Sequence, residues 1–110
     1  MKKLHIAIGV DNIEDSVKQY SIEFNESPVL IIPGEYALWR TDSLNVSIRK
    51  TKPEKIGKLR HLGWEKESVD KFTLKKDCNG IEWEEFDALL QEEEIKSIWP
   101  DVKYSVKYIG

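Results

Sequence analysis

The sequence has very little cysteine, since Cys78 is the single cysteine in 110 residues. A lone cysteine excludes an internal disulfide, and this usage is typical of the cytoplasm, which is the location we expect. No apolar run approaches the roughly 20 residues that span a bilayer, so we expect no membrane partner. The N-terminal apolar run is short and lacks a small-residue cleavage site, which argues against a signal peptide.

The chain also lacks an excess of positive charge. The chain has 17 Lys and Arg residues against 20 Asp and Glu residues, for a formal net charge of −3. Binding to nucleic-acid phosphates needs an excess of basic residues, so we expect no nucleic-acid partner. Motifs for nucleotide binding or for a nucleophilic serine are absent as well. The length predicts one domain covering residues 1–110.

The first half of the chain reads as a strand, a helix and three further strands. Large aliphatic residues alternate along residues 4–10 and leave His5 on the opposite side of that strand. Apolar residues then recur at helical spacing from Ile13 to Phe24. Three short β-like runs follow, "PVLIIP", "EYALWRT" and "LNVSIRKT", separated by turn residues.

The second half is predicted to contain similar secondary-structure elements in a different order. After the polar connector "KPEKIGK", the run "RHLGWE" predicts a strand that carries His61, the second of two histidines. "KFTLKKDCNGIEWEEF" predicts a hairpin, residues 87–99 a helix ended by Pro100, and "VKYSVKYI" a last strand. We therefore predict an α+β fold with βαβββ-type pseudo-repeats at about 3–51 and 58–110, the second repeat being atypical.

Four stretches in this order resemble the vicinal oxygen chelate superfamily, which includes glyoxalases, bleomycin-resistance proteins and extradiol dioxygenases. They are "LHIAIGVDNIEDSVKQY", "YALWRTDSLNVSIRK", "RHLGWE" and "DCNGIEWEEF". The resemblance implies a glyoxalase/bleomycin-resistance-like domain whose mixed sheets form a partly open barrel, and a homodimer. The sequence departs from the family pattern where "EKESVDK" is too short for the usual second-module helix.

The resemblance also implies a set of metal ligands. These fall on His5, His61 and Glu84, and the fourth ligand of glyoxalases falls near Ser47, whose hydroxyl is a poor ligand. Two imidazoles and one carboxylate suit a divalent metal such as Fe, Mn, Ni or Zn and leave positions open for substrate oxygens. A metal held in this way can act as a Lewis acid.

Several other residues are candidates for the chemistry. Glu82 or Glu65 would be the catalytic base, and Arg40 and Arg49 would bind an anionic group of the substrate. The expected reaction is that of a lyase, isomerase or dioxygenase acting on a small oxygenated molecule. Two alternatives stay open: a metal-free protein that binds an aromatic or drug-like ligand, and an interaction module with a vestigial cavity. The sequence does not decide whether the protein is an enzyme.

Overall fold

The computed structural model describes residues 2–106, which form seven strands, two α-helices and one short 3-10 helix. In chain order the elements are β1 (Lys3–Val10), α1 (Ile13–Phe24), β2 (Leu30–Ile32), β3 (Tyr36–Arg40), β4 (Leu44–Lys50), the 3-10 helix (Pro53–Lys55), β5 (Leu59–Glu65), β6 (Thr73–Lys76), β7 (Glu82–Phe86) and α2 (Ala88–Ile98). Neither α-helix in this part of the chain is long and apolar enough to cross a membrane.

All seven strands belong to one mixed sheet, in the order β2-β3-β4-β1-β5-β7-β6. The central strand β1 is parallel to β4 on one side and antiparallel to β5 on the other. The predicted α+β class is confirmed. Over residues 2–106, however, the sheet is one continuous layer that does not close into a barrel.

Helix α1 covers one face of the sheet. It begins at Asn12, whose side chain accepts a hydrogen bond from the backbone N–H of Asp15, and it ends at Asn25 in the left-handed conformation. Ile13 is buried against Trp39 and Ile48, which alternation places on the same face of β3 and β4. The large aliphatic residues of β1 serve this core, so His5 faces the other way.

Helix α2 lies on that other face. Asp87 begins it by accepting a hydrogen bond from the backbone N–H of Leu90, as its position in the sequence predicts. Ile95 is buried together with Tyr36, Leu38 and Tyr104 in a second apolar cluster. The face of the sheet that carries His5 is therefore covered by α2 and the segment that follows it.

Two features of the second half differ from the sequence prediction. No helix separates β5 from β6, and α2 follows β7, so this half does not reproduce the βαβββ order. The predicted last strand is wrong for residues 102–106, which form no strand, because Tyr104 packs against Ile95 instead of pairing along a sheet edge. The rest of that prediction falls on residues 107–110, outside the described residues.

Candidate metal centre

Three neighbouring strands bring the predicted ligands to one face of the sheet. His5 on β1 is in register with Gly63 on β5, and Gly63 is in register with Glu84 on β7. His61 lies two residues before Gly63 and therefore shares its face. Because Gly63 has no side chain, the space between His5 and Glu84 stays open. A Cβ at Gly63 would lie 2.6 Å from the Glu84 carbonyl oxygen, so the close approach of β5 and β7 requires glycine.

The ligand atoms of these three side chains converge. Nε2 of His61 lies 3.0 Å from Nε2 of His5 and 2.9 Å from Oε1 of Glu84, and the remaining distance, His5 Nε2 to Glu84 Oε1, is 3.7 Å. A circle through the three atoms has a radius of about 1.9 Å, which is shorter than the ~2.0–2.2 Å bonds from zinc to nitrogen or carboxylate oxygen. One ion can therefore lie at bonding distance from all three. The two short distances are also those of hydrogen bonds from His61.

Asn45 fixes the proton on His5. Nδ1 of His5 lies 2.9 Å from Asn45 Oδ1 and 3.1 Å from the Asn45 carbonyl oxygen. Both atoms are acceptors, so Nδ1 carries the proton and Nε2 presents its lone pair to His61 and Glu84. Burial and the neighbouring His61 lower the pKa of His5, which favours the neutral form that binds metals.

A polar network holds Asn45 in this orientation. Its amide nitrogen donates 2.8 Å hydrogen bonds to Glu65 Oε1 and to Gln91 Oε1, and Gln91 Nε2 donates back to Asn45 Oδ1 at 3.0 Å. Glu65 in turn accepts two 2.8 Å hydrogen bonds from Arg40. Partners of this kind orient the ligands of a metal site and raise their basicity.

Of the four other residues predicted for the site, only one lines the cavity. Arg40 and Glu65, expected in substrate binding and catalysis, pair with each other behind His5 and do not line its cavity. Glu82 does not line the cavity either and is in register with Lys76 at the outer strand pair. Arg49 does line the cavity, as does Ser47 at the position of the missing fourth ligand.

The cavity at the three ligands is small, with a volume of about 50 Å³. Besides the residues already described, its wall includes Arg60 from β5 and Glu94 from α2. Neither residue could be assigned to the site from the sequence. Strict alternation places Arg60 opposite His61, and three consecutive glutamates at 92–94 are typical of an exposed helix face. Desolvation of the carboxyl group and the charge of Glu84 raise the pKa of Glu94, although much of the residue is exposed.

Comparisons with known proteins bear on the fold alone. No family model matches the chain, and no curated protein matches it. Among solved structures, the chain is similar to one titled as the NAD-dependent benzaldehyde dehydrogenase from Legionella pneumophila. The TM-score is 0.53 with 12% identity, and the match covers 74% of this chain and 96% of that chain. At this identity the likeness concerns the arrangement of helices and strands and carries no activity across.

Proposed function

We propose that the protein is a divalent-metal-dependent enzyme of the vicinal oxygen chelate type, a lyase, isomerase or dioxygenase acting on a small oxygenated molecule. The observation that carries the proposal is the convergence of His5, His61 and Glu84 from three strands. These residues are distant in sequence, and they meet at distances that fit one ion.

The protein's own residues supply the features that such a site needs. His5 offers a lone pair whose direction is set by Asn45, and Glu84 offers a negative charge that offsets the charge of the metal. When bound, a divalent metal would polarise an oxygen of the substrate. Helix α2 forms part of the cavity wall through Gln91, Glu94 and Ile95. Glu94, with its raised pKa and its place in the cavity wall, is our choice for the group that transfers a proton.

The strand pairings support the family assignment within this proposal. In the first half β1 is parallel to β4, and β4 is antiparallel to β3. In the second half β5 is parallel to β7, and β7 is antiparallel to β6. The two sets meet at the antiparallel pair of β1 and β5. This symmetry favours a pseudo-repeat that has lost one strand and its helix. The expected homodimer stays a prediction, which a molecular mass in solution tests.

The alternative of a metal-free protein for drug-like ligands has less support. Pockets for such ligands have volumes of ~300–1,000 Å³ and mostly apolar walls. The cavity at the three ligands is far smaller, and the larger cleft beside it is lined mainly by cations. The cavity wall is also rich in charged and ring-nitrogen groups, among them His5, His61, Glu84 and Glu94. A site of this size and polarity suits an ion and a few oxygen atoms of a substrate.

Elemental analysis of protein purified without chelator tests the proposal. We expect close to one equivalent of Fe, Mn, Ni or Zn per chain in the wild type, and a large loss in His61→Ala and Glu84→Gln. Glu82→Gln is the matched control because it removes a carboxylate from the same strand outside the cavity. Equal metal content in all four proteins would show that the three side chains form only a hydrogen-bonded cluster.

A further inference from the structure

A β-bulge in β5 gives Arg60 its direction. Ala7 is in register with His61, whereas the next residue, Ile8, is in register with Leu59, so Arg60 is the extra residue of the bulge. Regular alternation would point consecutive side chains to opposite faces. A bulge re-aims a side chain, and Arg60 and His61 accordingly both line the cavity. Bulges are frequent next to functional sites.

Arg49 lies beside Arg60 in the wall of the same cavity. Its guanidinium packs over the ring of Trp99, 5.2 Å from the ring centre. Within residues 2–106 neither guanidinium has a carboxylate oxygen within 4.0 Å. The two guanidinium groups are like charges in one cavity wall, which Glu84 and Glu94 also line. A bound anion would relieve the repulsion between the two cations.

The two arginines also line a second, open cleft with a volume of about 480 Å³. The complete wall of this basic cleft consists of Arg49, Lys50, Thr51, Lys52, Lys55 and Arg60. Five of these six residues are cationic and none is acidic, in a chain whose net charge is −3. Lys50 is partly neutralised, because its Nζ contacts Asp11 at 3.3 Å. The remaining cations line the cleft beside the candidate metal ligands, where Glu84 and Glu94 are the neighbouring negative charges.

The connector after β4 is held in place, so the basic cleft is a built feature of the fold. Gly9 accepts a backbone hydrogen bond from Gly57 and donates one to Lys58. A Cβ at Gly9 would lie 2.7 Å from Thr51 Cγ2 and 2.9 Å from the Lys55 carbonyl oxygen. The connector thus packs directly on the backbone of β1. This contact positions Lys55 in the wall of the cleft.

We propose that the basic cleft binds the phosphoryl group of a small substrate, with Arg49 and Arg60 holding its oxygens and the substrate's other end reaching His5, His61 and Glu84. The inference rests on the proposed function for that second contact, whereas the binding of the anion does not require a metal. Guanidinium groups pair with phosphate oxygens through two parallel hydrogen bonds, and several cations favour a dianion over a single carboxylate. The cavity at the metal ligands is too small for a whole substrate, so the phosphoryl group would lie in the basic cleft and the other end in the cavity.

Calorimetric titration of the chelator-treated protein with inorganic phosphate, at constant ionic strength, tests the cleft alone. We expect binding to weaken about tenfold or more in Arg49→Gln and in Arg60→Gln, because each change removes charge-assisted hydrogen bonds. Lys75→Gln/Lys76→Gln, which removes two exposed charges from strand β6, is the matched control and should bind like the wild type. Lys52→Gln/Lys55→Gln, on the exposed connector, should lose affinity without a loss of folding.

Any of three results would contradict phosphate binding in the basic cleft. They are no binding to the wild type at millimolar phosphate, unchanged affinity in the arginine variants, and acetate binding as tightly as phosphate. The link to the metal ligands is tested with phosphoglycolate, which carries a phosphate and a carboxylate. In zinc-loaded protein we expect it to bind at least about tenfold tighter than phosphate, by the gain typical of a charge-assisted contact. His61→Ala should abolish this gain and keep the phosphate affinity. Phosphate binding with no gain in zinc-loaded wild type would refute the link alone.

Discussion

Replacing Gly63 with alanine should damage the candidate metal centre from a position that offers no ligand. The added Cβ would lie 2.6 Å from the Glu84 carbonyl oxygen and 3.2 Å from the Glu84 Cβ. The nearest atom belongs to the backbone, so strands β5 and β7 must move apart. Glu84 would move with β7, away from the two imidazoles on β1 and β5.

The size of the effect follows from the contact. Overpacking of a well-packed interior costs about 1–3 kcal/mol of unfolding free energy. Displacement of a group that supports or forms a metal site typically lowers metal affinity by about 10- to 100-fold. We expect Gly63→Ala to show both effects. Urea unfolding in the presence of a chelator measures the first, and a zinc competition titration measures the second.

Gly34→Ala is the matched control for this prediction. Gly34 has a φ of 73°, so alanine there is strained by about 1–2 kcal/mol although nothing lies within 4 Å of the added Cβ. This variant should lose a similar amount of stability and keep its zinc affinity. Wild-type zinc affinity in Gly63→Ala, or an equal loss of zinc affinity in Gly34→Ala, would contradict this role of Gly63.

Of three further predictions, two concern residues around the candidate metal centre and one concerns a site far from it. Asn45→Ala should weaken zinc binding about 10- to 100-fold in the same titration, because His5 Nδ1–H loses its side-chain acceptor; unchanged affinity would contradict the role of Asn45. Burial alone would raise the pKa of Glu65, but hydrogen bonds from Arg40 and Asn45 outweigh it and hold the pKa below 4.5, so the stabilisation is present above pH 4.5 and lost as the pH falls through the lowered value. Glu65→Gln should therefore cost about 2–3 kcal/mol near pH 7 in urea unfolding and progressively less in acid, and a cost independent of pH would refute this. Asn12→Ala should lower stability by about 1 kcal/mol through loss of the helix cap and leave zinc binding unchanged.

Much of the fold could be predicted because local patterns determine it. Alternation in residues 4–10 and the spacing from Ile13 to Phe24 specify β1 and α1, and Asp87 marks the start of α2. The last strand could not be judged in this way. Alternating Val and Tyr residues also suit an irregular segment that buries Tyr104 against α2, and only tertiary packing decides between the two.

The candidate site likewise contains residues that could be predicted from the sequence and residues that could not. His5, His61 and Glu84 are brought together by strand register, which the resemblance anticipated and alternation allowed. The roles of Arg40 and Glu65 could not be predicted, because their mutual ion pair depends on which strands are neighbours. The position of Arg60 in the cavity wall could not be predicted, because a one-residue bulge reverses the face of a side chain and has no signature in the sequence.

The most direct test of the central claim is X-ray absorption spectroscopy at the zinc edge on protein loaded with one equivalent of zinc. We expect a first shell of nitrogen and oxygen at about 2.0–2.2 Å with outer-shell scattering from two imidazole rings. We also expect His61→Ala to reduce the imidazole scattering to one ring or to lose the metal. A wild-type spectrum without imidazole scattering, or one that His61→Ala leaves unchanged, would contradict a metal centre formed by His5, His61 and Glu84.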